Sequence, residues 1–225
     1  MSIFRRRNRD ERKPEQASAT EPEDESAAAS GAESAASAPR RSGPYDSAEV
    51  EIEQARADRI DLGGLLVRRV EGMQLQLQVD EKSSRPTSVM VVLGDAAVQM
   101  IPVAAPRSSG LWDQTRLQIA ADAQRRGGTA EEAAGPFGTE IRIVLPVTTP
   151  DGKKAVQPSR IAGIDGPRWM LRATFLGAAT NNPEAFGRLV QVVRDTVVVR
   201  GDSPMPPGEI IALRPPQQPD QQPSA

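Results

Sequence analysis

The 225-residue sequence contains no cysteine and no histidine. The first absence removes disulfides and thiolate nucleophiles, the second removes histidine-based triads, and together they remove Cys/His zinc sites. Long apolar runs are missing too. No stretch approaches the length of a membrane span, and the opening MSIFRRRNRDERK is basic without the apolar run of a secretory signal. The expected location is the cytoplasm. Neither sign of charge dominates: 28 Lys and Arg stand against 30 Asp and Glu. Phosphate-binding glycine patterns are also absent. Gly63-Gly64, Gly127-Gly128 and Gly135-x-x-Gly138 do not fit GxGxxG or GxxxxGK[ST], so they read as turns. The chain shows no internal repeat.

What is present divides unevenly. Residues 1–58 are rich in Ala, Ser, Glu and Pro, with Ile3, Phe4, Tyr45, Val50 and Ile52 as almost the only large apolar groups. Such a stretch cannot offset the entropy of ordering its backbone, and disorder is expected there. It carries nine basic and thirteen acidic residues. The arginine-rich arm 1–13 is the one candidate contact for nucleic acid or an anionic membrane surface, and its acidic neighbours screen it. Residues 59–213 are patterned throughout and form the expected single domain, with 18 basic and 16 acidic groups. A field that weak does not steer a polyanion, so nucleic acid is not an expected partner of the domain. Residues 214–225, together with the SPMPP run from Ser203 onward, read as a Pro/Gln tail unable to pair or pack regularly.

The clearest unit in the domain spans residues 166–196. Trp169, Leu171, Ala173 and Phe175 alternate with Met170, Arg172, Thr174 and Leu176, the period of a strand with one core face. Asn182 as N-cap, Pro183 at the first helical position and Glu184 in the first turn then start a helix. Phe186, Leu189, Val190 and Val193 form its apolar stripe. Upstream, the alternation predicts short strands around Ile60 and after Gly63-Gly64, then strands over 73–79, 88–93 and 96–103, with Pro102 at an edge or a strand end. A helix is expected over 111–126, capped by Ser108 or Ser109, buried through Leu111, Trp112, Thr115, Ile119 and Ala123, and stopped by Gly127-Gly128. Strands 139–147 and 155–164 flank a turn at 150–153, and Asp165-Gly166 reads as the next turn. The valines of 196–200 favour a last strand over a helix end. The expected fold is α+β: a mainly antiparallel sheet of about seven strands flanked by two helices, with disordered termini.

Few residues offer chemistry. Asp113, Asp122, Glu131 and Glu132 do not form an acid/base pair, and Lys153 and Lys154 sit on a hairpin tip without the burial that a Schiff-base lysine needs. Trp112 and Trp169 lie on apolar stripes and read as core anchors. Arg142, Arg160, Arg168 and Arg172 fall on the C-terminal strands. They either form separate ion pairs with Asp165, Glu140 and Asp195 or gather over an open sheet face to hold a carboxylate or phosphate. Arg168, Arg172 and Asp165 are the candidate ligand-binding set. No catalytic residue, metal site or cofactor is expected.

The blocks APRSSGLWDQTR (105–116), GPFGTE (135–140), GIDGPRWMLR (163–172) and RDTVVVRGDSPMPPGE (194–209) resemble an actinobacterial domain-of-unknown-function family, number 3710, over roughly residues 45–215. The resemblance implies a cytosolic actinobacterial protein and supplies no catalytic residue. Leu117 departs from it, standing where a polar side chain would suit the exposed side of the helix. The order of elements is loosely similar to the PsbP-type α/β/α sandwich, whose members typically serve as binding or assembly factors. The function expected is that of a non-catalytic protein–protein interaction or accessory module. The alternative is a binder of a small anionic ligand through strand arginines.

Overall fold

The computed structural model describes residues 42–80, 84–107 and 110–216. Regular structure begins at Tyr45, ahead of the boundary expected at Arg59. Strand β1 (Tyr45–Asp46) leads into a 3-10 turn at Ser47–Glu49 and helix α1 (Ile52–Ala57). A capping box closes the turn: Ala48 N donates to Asp46 Oδ1 at 2.8 Å, and Asp46 N donates to Glu49 Oε2 at 2.7 Å. The averaged composition of residues 1–58 hides this, because three of its few large apolar residues, Tyr45, Val50 and Ile52, stand together and pack against buried Ala55, Leu66 and Val197. The basic arm and most of the acidic tract, with residues 1–41, lie outside the described residues, as do 217–225.

Two sheets follow where one was expected. The smaller contains β2 (Arg59–Asp61), β3 (Leu65–Arg68) and β11 (Val197–Val198), in the order β1-β11-β3-β2. Strand β1 runs parallel to β11, and the other pairs are antiparallel. The larger is a seven-stranded antiparallel sheet: β4 (Met73–Val79), β5 (Pro86–Leu93), β6 (Ala96–Ala104), β7 (Thr129–Gly135), β8 (Gly138–Thr148), β9 (Lys154–Gly166) and β10 (Trp169–Gly177). Their order is β4-β5-β6-β10-β9-β8-β7. Strand β7 was not anticipated, because TAEEAAG has neither alternation nor β-branched residues beyond Thr129. It forms by pairing with β8, from Thr129 opposite Val144 to Gly135 opposite Gly138. The turn into β10 is Pro167-Arg168, with β9 extending through Asp165 and Gly166, so the turn expected at Asp165-Gly166 lies two residues later.

Each face of the large sheet has its own cover. Trp169, Leu171, Ala173 and Phe175 of β10 face helix α3 (Pro183–Arg194) and the small sheet, in a core with Leu189, Val193, Leu65, Val67 and Val198. Asn182 caps α3 as its sequence requires, accepting from Glu184 N at 2.9 Å and Ala185 N at 3.2 Å. On the opposite face, helix α2 (Leu111–Arg125) lies against β7, β8 and β9, burying Trp112 and Ala123 over Ile141, Ile143 and Met170. Its N-cap is Gly110, while Ser108 and Ser109 lie outside the described residues. Over β4 the same face is open, with Gln74, Gln76 and Gln78 exposed.

Two glycines of β9 make room for the tryptophans. A Cβ on Gly163 would stand 2.2 Å from Trp112 Cε3, and one on Gly166 would stand 2.1 Å from Trp169 Cε2. Gly163→Ala must therefore push Trp112 off the sheet and is expected to destabilise by about 1–3 kcal/mol. Gly187→Ala, inside α3 with open space around its Cβ, is expected to stabilise by about 0.5–1 kcal/mol. Chemical denaturation of both variants checks the contrast. Equal midpoints would show that α2 does not seat Trp112 on Gly163.

The C-terminal segment, expected not to pair, joins the two sheets. Ala104 N donates to Glu209 O at 2.7 Å, and Ile211 N donates to Pro102 O at 2.9 Å. Further along, Gly64 N donates to Ala212 O at 3.1 Å, and Arg214 N donates to Leu62 O at 2.8 Å. Ile211 and Leu213 are buried. Pairing of β5 with β6 stops at Met100, so Pro102 stands where β6 has lost that neighbour and its carbonyl is free to accept from the segment. Backbone groups on two preformed edges, rather than side-chain periodicity, place these residues.

Candidate functional site

The structure does not gather the three candidate binding residues into one site. Arg172 lies on the α2 face of β10, opposite Ile101 of β6 and Gly163 of β9. It is half-buried and makes no ion pair among the described residues, and burial draws its guanidinium below the usual arginine value. Asp165, opposite Met170, meets the start of α2, where its Oδ2 accepts from Gly110 N at 3.3 Å. A carboxylate there complements the positive end of the helix dipole. Arg168 occupies the turn between β9 and β10 with φ of 61°, a left-handed conformation that non-glycine residues rarely adopt. Its carbonyl accepts from Ala105 N at 2.9 Å, which accounts for part of that constraint.

The other two strand arginines form ion pairs. Glu140 is 1% exposed, and its Oε1 accepts from Arg142 Nε at 3.1 Å and from Arg160 Nε at 2.9 Å. The Arg160 guanidinium also stacks 3.5 Å over the ring of Phe186 in α3. Among the described residues Glu140 Oε2 has no hydrogen-bond partner. Among the described residues no arginine side chain pairs with the Asp195 carboxylate. Its carbonyl accepts from Arg59 Nε at 3.0 Å, and its side chain accepts from Gln191.

Two clefts flank the residues after β11. The larger, about 560 Å³, opens beneath the C-terminal segment and is lined by Gly63, Gly64, Pro86, Met205, Ile210 and Ile211. Charges of both signs stand in the same wall: Arg85 and Arg200 with Asp80 and Glu209. The smaller, about 390 Å³, is lined by Asp46, Ile52, Pro167, Arg168, Arg200 and Asp202 among others. Val199, Arg200 and Gly201 line both clefts. Arg200 Nη1 donates to the carbonyls of Gly201 and Ser203, at 3.0 and 3.3 Å, while its Nε is buried without a partner among the described residues. Arg168 was among the candidate residues of the sequence, whereas Arg200 follows the last strand and belongs to no periodic pattern. The one signal was its place within the block RDTVVVRGDSPMPPGE.

Among the described residues no group of three or more Asp and Glu side chains is placed to hold a metal ion. No helix among them is long and apolar enough to cross a membrane.

No curated protein matches the chain. One similar solved structure is the solution structure of cyanobacterial PsbP (CyanoP) from Synechocystis sp. PCC 6803. The two are 11% identical, the match covers 60% of this chain and 86% of that one, and the TM-score is 0.35. A family model described as "Protein of unknown function (DUF3710)" matches residues 43–222, a span that takes in β1, both sheets and the C-terminal segment. The chain belongs to that family.

Proposed function

We propose that this chain is a non-catalytic accessory module of the cytoplasm that docks a protein partner, with an apolar side chain of the partner anchored in the larger cleft. The observation that carries this reading is the make-up of that cleft. Its volume of about 560 Å³ admits a large aromatic or branched side chain, and Pro86, Met205, Ile210 and Ile211 supply apolar contact. Around them stand two arginines and two carboxylates, a mixture that suits a polypeptide carrying both signs better than a small anion. The absence of cysteine and histidine from the whole chain supports binding rather than catalysis.

Ile210 is 37% exposed at the cleft wall, and its bridge to Val103 is made by backbone. Ile210→Asp therefore alters the cleft without removing that pairing. Val156→Asp, at a position 67% exposed on β9, serves as control. Full-length protein, cross-linked in nuclease-treated lysate, is expected to capture a partner that the Val156→Asp variant retains and the Ile210→Asp variant loses. Loss of an anchor contact of about 2 kcal/mol or more weakens binding roughly thirty-fold. Capture unaffected by Ile210→Asp would overturn the assignment of the cleft.

A further inference from the structure

We infer that the smaller cleft, which shares Arg200 with the larger one, is a binding site for a phosphate group. Two half-buried arginines, Arg168 and Arg200, line the same cavity of about 390 Å³, and neither makes an ion pair among the described residues. A guanidinium withdrawn from water is stabilised by a hydrogen-bonded anion, and its planar fork matches phosphate oxygens. The nearby carboxylate of Asp46 is already engaged. Its Oδ2 accepts from Trp169 Nε1 at 2.6 Å, and its Oδ1 accepts from Ala48 N at 2.8 Å. Asp202 also lines the cleft but is exposed and solvated.

The state of each arginine fits a site prepared for a ligand. Arg200 keeps a buried Nε without an acceptor although its Nη1 is doubly engaged. Buried donors without partners are rare in folded proteins, and this one belongs to a guanidinium that lines the cleft. Arg168 holds its left-handed backbone at the turn, a conformation that persists where the surroundings over-determine it and that recurs at ligand clamps. Ile52, Pro167 and Val199 give the cavity an apolar side, so the ligand class is a phosphate monoester with a small apolar body, or free phosphate itself. Arg172, on the α2 face of the sheet, is not among the residues lining this cleft.

Calorimetric titration of the full chain at constant ionic strength tests the site, with inorganic phosphate and phenyl phosphate as ligands and chloride as control. Saturable binding of phosphate species is expected. Phenyl phosphate binding more tightly than inorganic phosphate identifies an ester ligand, and equal binding identifies free phosphate. Arg168→Gln is the decisive variant, since among the described residues the Arg168 side chain holds no loop carbonyl. It is expected to weaken binding about ten-fold or more while the melting temperature without ligand stays within a few degrees. Arg200→Lys keeps the charge but loses the fork and is expected to weaken binding as well. Arg172→Gln is expected to bind like the wild type. The inference is overturned if phosphate species bind no better than chloride, or if Arg168→Gln and Arg172→Gln bind alike. Arg168 does not line the larger cleft, so the result with Arg168→Gln is separate from that of the docking experiment.

Discussion

Trp169→Ala is expected to lower the stability of the domain by about 3–5 kcal/mol, a loss large enough to unfold a marginally stable protein. Trp169 is fully buried at the start of β10 and pairs with Ala104 on one side and Gly166 on the other. Truncation opens a cavity over Gly166, whose missing side chain is what lets the indole lie there. It also strands Asp46, whose Oδ2 accepts from Trp169 Nε1 across a separation of 123 residues. That bond ties the segment around β1 to the large sheet. Trp169→Phe weights the two contributions differently, since it keeps a six-membered aromatic ring in the core but removes the Nε1 donor and part of the indole. Its expected loss is about 1–3 kcal/mol. In hydrogen exchange, the Phe variant should lose protection first at Tyr45 N, which donates to Thr196 O at 3.0 Å. An Ala variant with an unchanged denaturation midpoint would mean that the indole is not part of the core.

Glu140→Ala is the second large effect expected, again about 3–5 kcal/mol. The carboxylate is buried, and removing it leaves the Arg160 guanidinium without its counter-ion; that side chain is 16% exposed. Arg142 is 52% exposed and can turn to water, so Arg142→Ala is expected to change stability by only about 0–1 kcal/mol. The double variant Glu140→Leu/Arg160→Leu removes both charges from the interior and should recover much of the loss seen with Glu140→Ala. Equilibrium denaturation of the three variants checks the order. The account is wrong if Glu140→Ala is no more damaging than Arg142→Ala, because the pair would then contribute as a surface pair does.

The pairing of Glu140 with strand arginines was among the sequence expectations, but its burial was not. Its strand was clear from the alternation of Ile141, Ile143, Leu145 and Val147, and that same alternation puts Glu140 on the face opposite those residues. Nothing local says that this face is buried at Glu140. That follows from the cover above the sheet and from Arg160, 20 residues later in sequence. Arg168 and Arg200 present the same difficulty, since a turn and a chain segment after the last strand come to line one cleft only in the folded chain. Asp165 read as a potential ligand group from its charge, yet the packing of α2 brings its carboxylate to Gly110 N.

What the sequence by itself determined is what neighbouring residues decide. The period of two in residues 73–79 and 169–175, the Asn182-Pro183-Glu184 start and the apolar stripe of α3 are set by steric and capping preferences a few residues long. The absence of histidine and cysteine likewise needs no fold to be read. Tertiary structure alone decided the rest. Strand β7 and the segment 208–214 have weak preferences of their own and take their conformation from the backbone groups of strands already in place. The split into two sheets and the clefts beside Arg200 depend on the same long-range pairing. Hydrogen bonds between distant backbones satisfy donors and acceptors whatever side chains those residues carry, and for that reason they leave little trace in the pattern of the sequence.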